Sequence, residues 1–426
     1  MIKTPKSLRM HIGIFGRRNV GKSSLLNALV KQHVSIVSEV AGTTTDPVEK
    51  PMELQPIGPV LFIDTAGVDD AGALGTMRVK RTREIFDRTD VGLIIVEAGR
   101  WGEFEQTILD ELRALGLPVI VVLNKSDLGA PAPELLEHLK AEKVASVSTV
   151  ASTGDGLDAL RDALIKAAPE EFINAPTILG DLVSPGELVV LVVPIDKEAP
   201  KGRLIVPQVQ SIRDLLDHDA YCLVVKEHEL RDALGRLNRP PALVVTDSQA
   251  FEKVAADTPC HVPMTSFSIL YARYKGDLDA FVRGALAIDA LRPGDRVLVA
   301  ETCSHQPTCD DIGRVKIPRW LHGHLAPRWN CDGRNTSEQQ DVGDLVFDHV
   351  QGHDFPDDVS AYRLVIHCGG CMHNRRQMLT RIARCRTAGV PITNYGTTIA
   401  YTLGIFERAL GPFPSALETY RELTRT

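Results

Sequence analysis

The sequence predicts an α/β protein made of successive open sheets that are mostly parallel, and three observations predict it. The chain has 426 residues, enough for about three domains at the usual ~100–200 residues each. Short apolar runs alternate with amphipathic stretches along most of its length. A glycine-bearing loop, GRRNVGKSS at 16–24, lies between an apolar strand signal and an apolar helix signal, as in a βαβ unit.

Residues 1–170 show the alternation most clearly. HIGIFG, PVLFIDTAG, VGLIIVEAG, LPVIVVLNKSD and VASVSTV read as strands, and KSSLLNALV and EQTILDELRALG as helices. The stretch APEEFINAPTILGDLVSPGE reads as a linker. Residues 180–275 alternate again, with strands in ELVVLVVPID, YCLVVKE and PALVVTD and helices in SIRDLLDHD and HELRDALGRLN. That segment carries no catalytic motif and suits packing or oligomerisation. Residues 276–426 hold six of the eight cysteines. Strand-like DRVLVAE ends just before Cys303, AYRLVIHC ends at Cys368, and GVPITNYG follows the helix RQMLTRIARCRTAG. Both cysteine motifs are therefore predicted just past strand C-termini, where open α/β sheets place their ligands.

Composition narrows the classes of function. The chain is 44% hydrophobic and 24% charged, ordinary for a globular protein with real cores. Its net charge of −7 disfavours a surface built for nucleic acid, which needs clustered Lys and Arg. No run of 18 apolar residues predicts a membrane span. The start, MIKTPKSLRMHIGIFG, has no secretory apolar segment, so a cytoplasmic protein is expected. In such a chain the cysteines at 222, 260, 303, 309, 331, 368, 371 and 385 are expected to be reduced thiols or metal ligands.

The loop fits G-x-x-x-x-G-K-[ST] from Gly16 to Ser23. Its backbone amides, from Gly16 and Asn19 through Val20, Gly21 and Ser24, are expected to cradle phosphates at a helix N-terminus. Lys22 is expected to reach the β- and γ-phosphates and Ser23 to bind Mg²⁺. DTAG at 64–67 supplies Asp64 for the Mg²⁺ shell and Gly67 to sense the γ-phosphate, and AGTTTDP at 41–47 supplies Thr44 as the switch threonine and second Mg²⁺ ligand. NKSD at 124–127 offers Asn124, Lys125 and Asp127. A carboxylate at Asp127 accepts two hydrogen bonds from guanine N1 and N2, a donor pair that adenine lacks, so the nucleotide is predicted to be GTP. The set resembles the translation-factor-related GTPases of tRNA modification and ribosome assembly. That resemblance implies a K⁺ ion held by Asn19, and base contacts from the loop at Val150, Ala151 and Ser152, where VAS replaces the family's SAK. Val68 follows DTAG where many signalling GTPases place a water-orienting glutamine, so slow, K⁺-stimulated hydrolysis is expected.

The second constellation is CSH at 303–305 and HCGGC at 367–371. Two Cys and two His suit tetrahedral zinc. Three thiolates suit a cluster with one iron left open. A redox dithiol of Cys368 and Cys371 gives Cys303 no role. Spacing does not choose among these. Cys309 is the rival thiolate, and Cys222, Cys260 and Cys385 read as structural.

A GTPase domain followed by C-x-H and then H-C-x-x-C resembles the [FeFe]-hydrogenase maturation GTPases. DDIGRVKIPRW, VIHCGGCMHNRR and GVPITNYGTTIAY resemble that family as well, so the likeness covers essentially the whole chain. It implies a GTPase domain at 1–170, a dimerisation domain at 180–275 and a [4Fe–4S] domain at 276–426. Cys303, Cys368 and Cys371 would be the thiolate ligands, with His305 and His367 as fourth ligand or supporting groups. The implied role is a scaffold that receives a di-iron CO/cyanide precursor from radical-SAM maturases and delivers it to apo-[FeFe]-hydrogenase. The donors in RVKIPR and HNRR, Arg375 and Arg376 among them, would hold that anionic unit. One departure is a longer segment between the half-motifs, HGHLAPRWNCDGRNTSEQQDVGD, which reads as a surface loop carrying His322, His324 and Cys331.

Overall fold

The computed structural model describes residues 4–31, 48–65, 84–97, 100–173, 176–194, 204–302, 311–331 and 344–425. The chain divides into two compact units, 1–175 and 176–426.

The first unit is one six-stranded sheet in the order β2-β3-β1-β4-β5-β6. Its strands are β1 (Met10–Phe15), β2 (Val48–Leu54), β3 (Gly58–Asp64), β4 (Val91–Glu97), β5 (Val119–Asn124) and β6 (Ala145–Thr149). All pairings are parallel except β2 with β3. Strands β1, β3, β4 and β5 are buried almost throughout, which is why they read as continuous apolar runs. Helix α1 (Lys22–Lys31) and, further along the chain, α4 (Leu157–Ala167) belong to one apolar core through Leu25, Leu26, Leu160 and Leu164. Helices α2 (Glu103–Ala114) and α3 (Pro133–Ala141) belong to another through Leu109, Leu112 and Leu139.

The second unit holds two four-stranded parallel sheets over one continuous apolar core. The first has the order β10-β9-β7-β8, from β7 (Leu188–Val192), β8 (Tyr221–Val225), β9 (Leu243–Thr246) and β10 (Met264–Ser266). Helices α5 (Val206–Asp217), α6 (Leu230–Gly235) and α7 (Phe251–Asp257) alternate with these strands, and α8 (Phe267–Lys275) and α9 (Leu278–Leu286) lead onward. The second sheet has the order β12-β11-β13-β14, from β11 (Arg296–Glu301), β12 (Val346–Gln351), β13 (Leu364–His367) and β14 (Ile392–Asn394). Helix α10 (Ile317–Cys331) joins β11 to β12, and α11 (Arg375–Thr387) joins β13 to β14. Helices α12 (Tyr395–Thr402), α13 (Phe406–Leu410) and α14 (Pro414–Thr424) close the described chain.

Three sequence expectations are corrected. The segment between the half-motifs is not a loop up to residue 331: it is helix α10, with Leu321 and Leu325 fully buried. Their four-residue spacing places both on one helix face, which the polar intervening residues obscured. His324 of this helix bonds Asp289 at 2.8 Å and His322 meets Asp344 at 3.3 Å, so both are tied to carboxylates. The stretch read as a linker is partly packed: Ile178 and Leu179 join the core, and Asp214 accepts from the Leu179 and Gly180 amides. Cys260 is exposed rather than set among apolar groups, whereas Cys385 is fully buried and burial pushes its thiol up to about 12.

Candidate nucleotide site and metal centre

The nucleotide loop runs from the end of β1 into α1. Gly16 has φ +142, and a Cβ there would lie 2.2 Å from the Ile95 carbonyl oxygen, so the close approach to β4 demands glycine. Gly21 has φ +95, and a Cβ would lie 2.3 Å from Asn124 Nδ2. Asn19 is exposed and takes the left-handed φ of 65° that asparagine tolerates. Lys22 is buried, and its ammonium donates to the loop carbonyls of Gly16 and of Arg17, the latter at 2.7 Å.

Ser23 Oγ donates to Asp64 Oδ2 at 3.0 Å, joining the loop to the end of β3. Asp64 Oδ1 is buried and has no hydrogen-bond partner among the described residues. A buried carboxylate oxygen left over beside a serine hydroxyl fits a hard cation such as Mg²⁺. Asn124 bonds to the protein on both sides of its amide. Its Nδ2 donates to the Val20 carbonyl at 2.8 Å, and its Oδ1 accepts from Thr149 Oγ1 at 3.1 Å and the Ala151 amide at 3.3 Å. It therefore ties the phosphate loop to the β6 turn, and Asp127 is exposed. Lys125 has a left-handed φ of 57° and pairs with Glu97 at 3.5 Å. Ser152 is exposed beside Ala151. Thr44, Gly67 and Val68 lie outside the described residues.

Sequence reading missed Arg17. Its guanidinium grips the buried Glu105 through two bonds, 2.7 and 3.1 Å, and Glu105 also accepts the Gly102 amide at the start of α2. The visible signal was only a Glu three residues after a helix-start glycine, which reads as a cap.

In the second unit, the register of the parallel ladder aligns the strand ends: Ala300 pairs with His367, Glu301 with Gln351, and His367 with Asn394. The chain leaves β11 toward β12 on one side and returns to β13 on the other. The β11/β13 border is thus a topological switch point, where such sheets bind ligands. Cys368 emerges there, its amide bonded to the Ala300 carbonyl at 2.9 Å. Its Sγ accepts the Thr302 amide at 3.2 Å and lies 3.3 Å from Thr302 Oγ1. Gly370, at φ +69, turns the chain between the two thiols. Burial pushes the Cys371 thiol up to about 11, with Cys368 adding to the rise and Lys275 opposing it. Cys303, His305 and Cys309 lie outside the described residues. No three potential donors among the described residues form a metal site.

His367 is fully buried and both ring nitrogens are engaged. Arg381 Nη1 donates to Nε2 at 2.8 Å, so the ring proton sits on Nδ1 and is donated to the Cys368 carbonyl at 2.8 Å. Burial, then the Arg381 charge, lowers its pKa to about 3. His367 braces the Cys368 backbone. His373, which sequence reading did not single out, is 2% exposed, and neither ring nitrogen is hydrogen-bonded among the described residues. It stacks on His353 at 5.3 Å. Lys275, also missed, is 1% exposed and donates to the Gly370 and His373 carbonyls at 3.0 and 2.7 Å. Arg375 Nη1 donates to the Tyr274 carbonyl at 2.6 Å and so helps fix α8 to the turn before α11. Two thiols at a switch point, an amide donor to sulfur, a buried imidazole without a hydrogen bond among the described residues and a buried cation fit a thiolate-ligated metal centre.

The phosphate cradle, the Ser23–Asp64 pair and the NKSD loop define a P-loop GTPase, and the 50S ribosome-binding GTPase family matches residues 11–125. The chain is similar to GTPase Der of Wolinella succinogenes, 35% identical over 41% of this chain and 39% of that protein. It is similar to the tRNA modification GTPase MnmE of Aquifex aeolicus, 37% identical over 40% of this chain and 38% of that protein. It is also similar to GTPase Era of Stenotrophomonas maltophilia, 35% identical over 40% of this chain and 58% of that protein. The chain thus spans between 38% and 58% of the length of these curated relatives. The Hydrogen maturase F dimerization domain family matches residues 178–276, and the Hydrogen maturase F tetramerization domain family matches residues 279–412. These two matches cover more than half of the chain, and the chain belongs to the hydrogen maturase F family of GTPases. No described helix is long and apolar enough to cross a membrane.

Proposed function

We propose that this GTPase is the scaffold of [FeFe]-hydrogenase maturation: it holds a [4Fe–4S] cluster, receives the di-iron CO/cyanide precursor from radical-SAM maturases and delivers it to apo-hydrogenase. The observation that carries this reading is the pair of thiols, the buried Cys368 and the half-buried Cys371, at the border of β13 and β11, in a segment matched by a hydrogen maturase family. Cys303 follows the end of β11 by two residues and would complete a three-thiolate set. When bound, the cluster supplies an iron with an exchangeable position. The chain's own residues do the rest. Thr302 donates to Cys368 sulfur, His367 and Arg381 fix the backbone carbonyl behind it, and Lys275 holds the 370–373 turn. We assign the domains to 1–170, 180–275 and 276–426, with the second forming a homodimer and the whole residing in the cytoplasm.

In the first unit, Lys22 and the loop amides bind the GTP phosphates, and Ser23, Asp64 and Thr44 hold Mg²⁺. Asp127 reads guanine, and Asn19 helps hold K⁺. Hydrolysis times partner docking through the segment around Thr44 rather than driving transfer chemically. To test the function, the chain co-expressed with the radical-SAM maturases is purified anaerobically and mixed with apo-hydrogenase. Hydrogen evolution is expected with the wild type and lost with Cys368→Ala. Full activation by a variant lacking all three cysteines at 303, 368 and 371 overturns the scaffold reading.

A further inference from the structure

Lys275 ends α8 with a side chain 1% exposed. Its three protons point at backbone carbonyls of one turn: Gly370 at 3.0 Å, His373 at 2.7 Å and, more weakly, Cys371 at 3.4 Å. The Tyr271 ring lies 5.4 Å away. Among the described residues no carboxylate comes within ion-pair distance of it. A buried ammonium without a counter-anion is unfavourable, and carbonyl dipoles compensate it only in part. The groups facing Lys275 that can become anionic are the Cys371 and Cys368 thiols. Helix α8 is tight against the end of the second sheet: Asn394 at the end of β14 donates to the Ser268 carbonyl at 2.9 Å, and a Cβ on Gly396 would lie 2.7 Å from Ser268 Cβ.

We propose that Lys275 is a positioning residue of the metal centre: it supplies the buried counter-charge to the thiolate-ligated cluster and pins the turn that carries two of its ligands. The inference rests on the proposed cluster. Lys275 lies in the segment 178–276 and the turn in the segment 279–412, so the residue makes the charge of the centre felt by the helix of the neighbouring domain. A fixed cation favours the more negative, reduced cluster, so its removal lowers the reduction potential.

The test uses the full chain, reconstituted anaerobically with iron and sulfide, in four forms: wild type, Lys275→Gln, Lys275→Met and Lys275→Arg. Iron and sulfide per chain are measured, then the potential by EPR-monitored redox titration. A wild type that takes up no cluster refutes the underlying reading, separately from this one. With a loaded wild type, Gln and Met variants are expected to titrate at a more negative potential, and Arg near the wild type. A merely structural lysine lowers loading without moving the potential of the loaded fraction. Loss of loading in Gln and Met with loading kept in Arg also supports the counter-charge. Equal potentials in wild type, Gln and Met, or loss of loading in all three variants, overturns it.

Discussion

Asn19 and Asn124 show how one residue type serves two ends of the same site. Asn124 is consumed by the protein itself, bonding Val20, Thr149 and Ala151. Asn19 is exposed in a left-handed conformation. Asn19→Ala is expected to bring the K⁺-to-Na⁺ ratio of GTP hydrolysis rates toward one, as read by steady-state phosphate release; an unchanged ratio removes Asn19 from the ion site. His367 carries a pH dependence whose sign is fixed. Its folded pKa of about 3 lies below the ordinary value near 6.5, so the unfolded chain binds the extra proton between those values. Its contribution is complete above about pH 6.5 and is lost as pH falls toward 3. Metal-free wild type is expected to lose about 2 kcal/mol more between pH 7 and pH 5 than His367→Asn does, measured by urea unfolding. Equal pH slopes contradict the neutral, doubly bonded ring. The Cys368–Cys371 and phosphate-loop motifs could be singled out in the sequence because their spacing is local. Arg17, His373 and Lys275 were not, because their roles come from partners about ninety residues away or from burial alone.

At the scale of elements, the strands were readable because buried parallel strands are continuous apolar runs. Their ends were readable too: Cys368 directly follows the last residue of β13. Helix α10 was misread because its sequence mixes Gly323, Pro327 and several polar residues, all loop signals. What holds it helical is tertiary packing of Ile317, Leu321 and Leu325, each fully buried, against the core of the second unit. Leu325→Ala is expected to cost ~2–5 kcal/mol of that unit's stability by denaturant unfolding. A cost below about 0.5 kcal/mol, the range of surface substitutions, would mean that the helix is peripheral.

At the scale of the molecule, one chain joins a GTPase unit to a second unit whose two sheets share a core. The boundary between the units was legible as a Pro- and acid-containing stretch. The fusion of the two later sheets was not, because periodicity within a strand says nothing about which sheets pack together. The central claim is that Cys303, Cys368 and Cys371 hold an iron–sulfur cluster in the same chain as the GTP site. The most direct measurement is anaerobic reconstitution of the full chain with iron and sulfide, followed by metal analysis, absorption and EPR of the reduced protein. The wild type is expected to hold about four irons per chain with a [4Fe–4S] spectrum, and each cysteine-to-alanine variant to lose most of it. A colourless wild type carrying stoichiometric zinc would contradict the account.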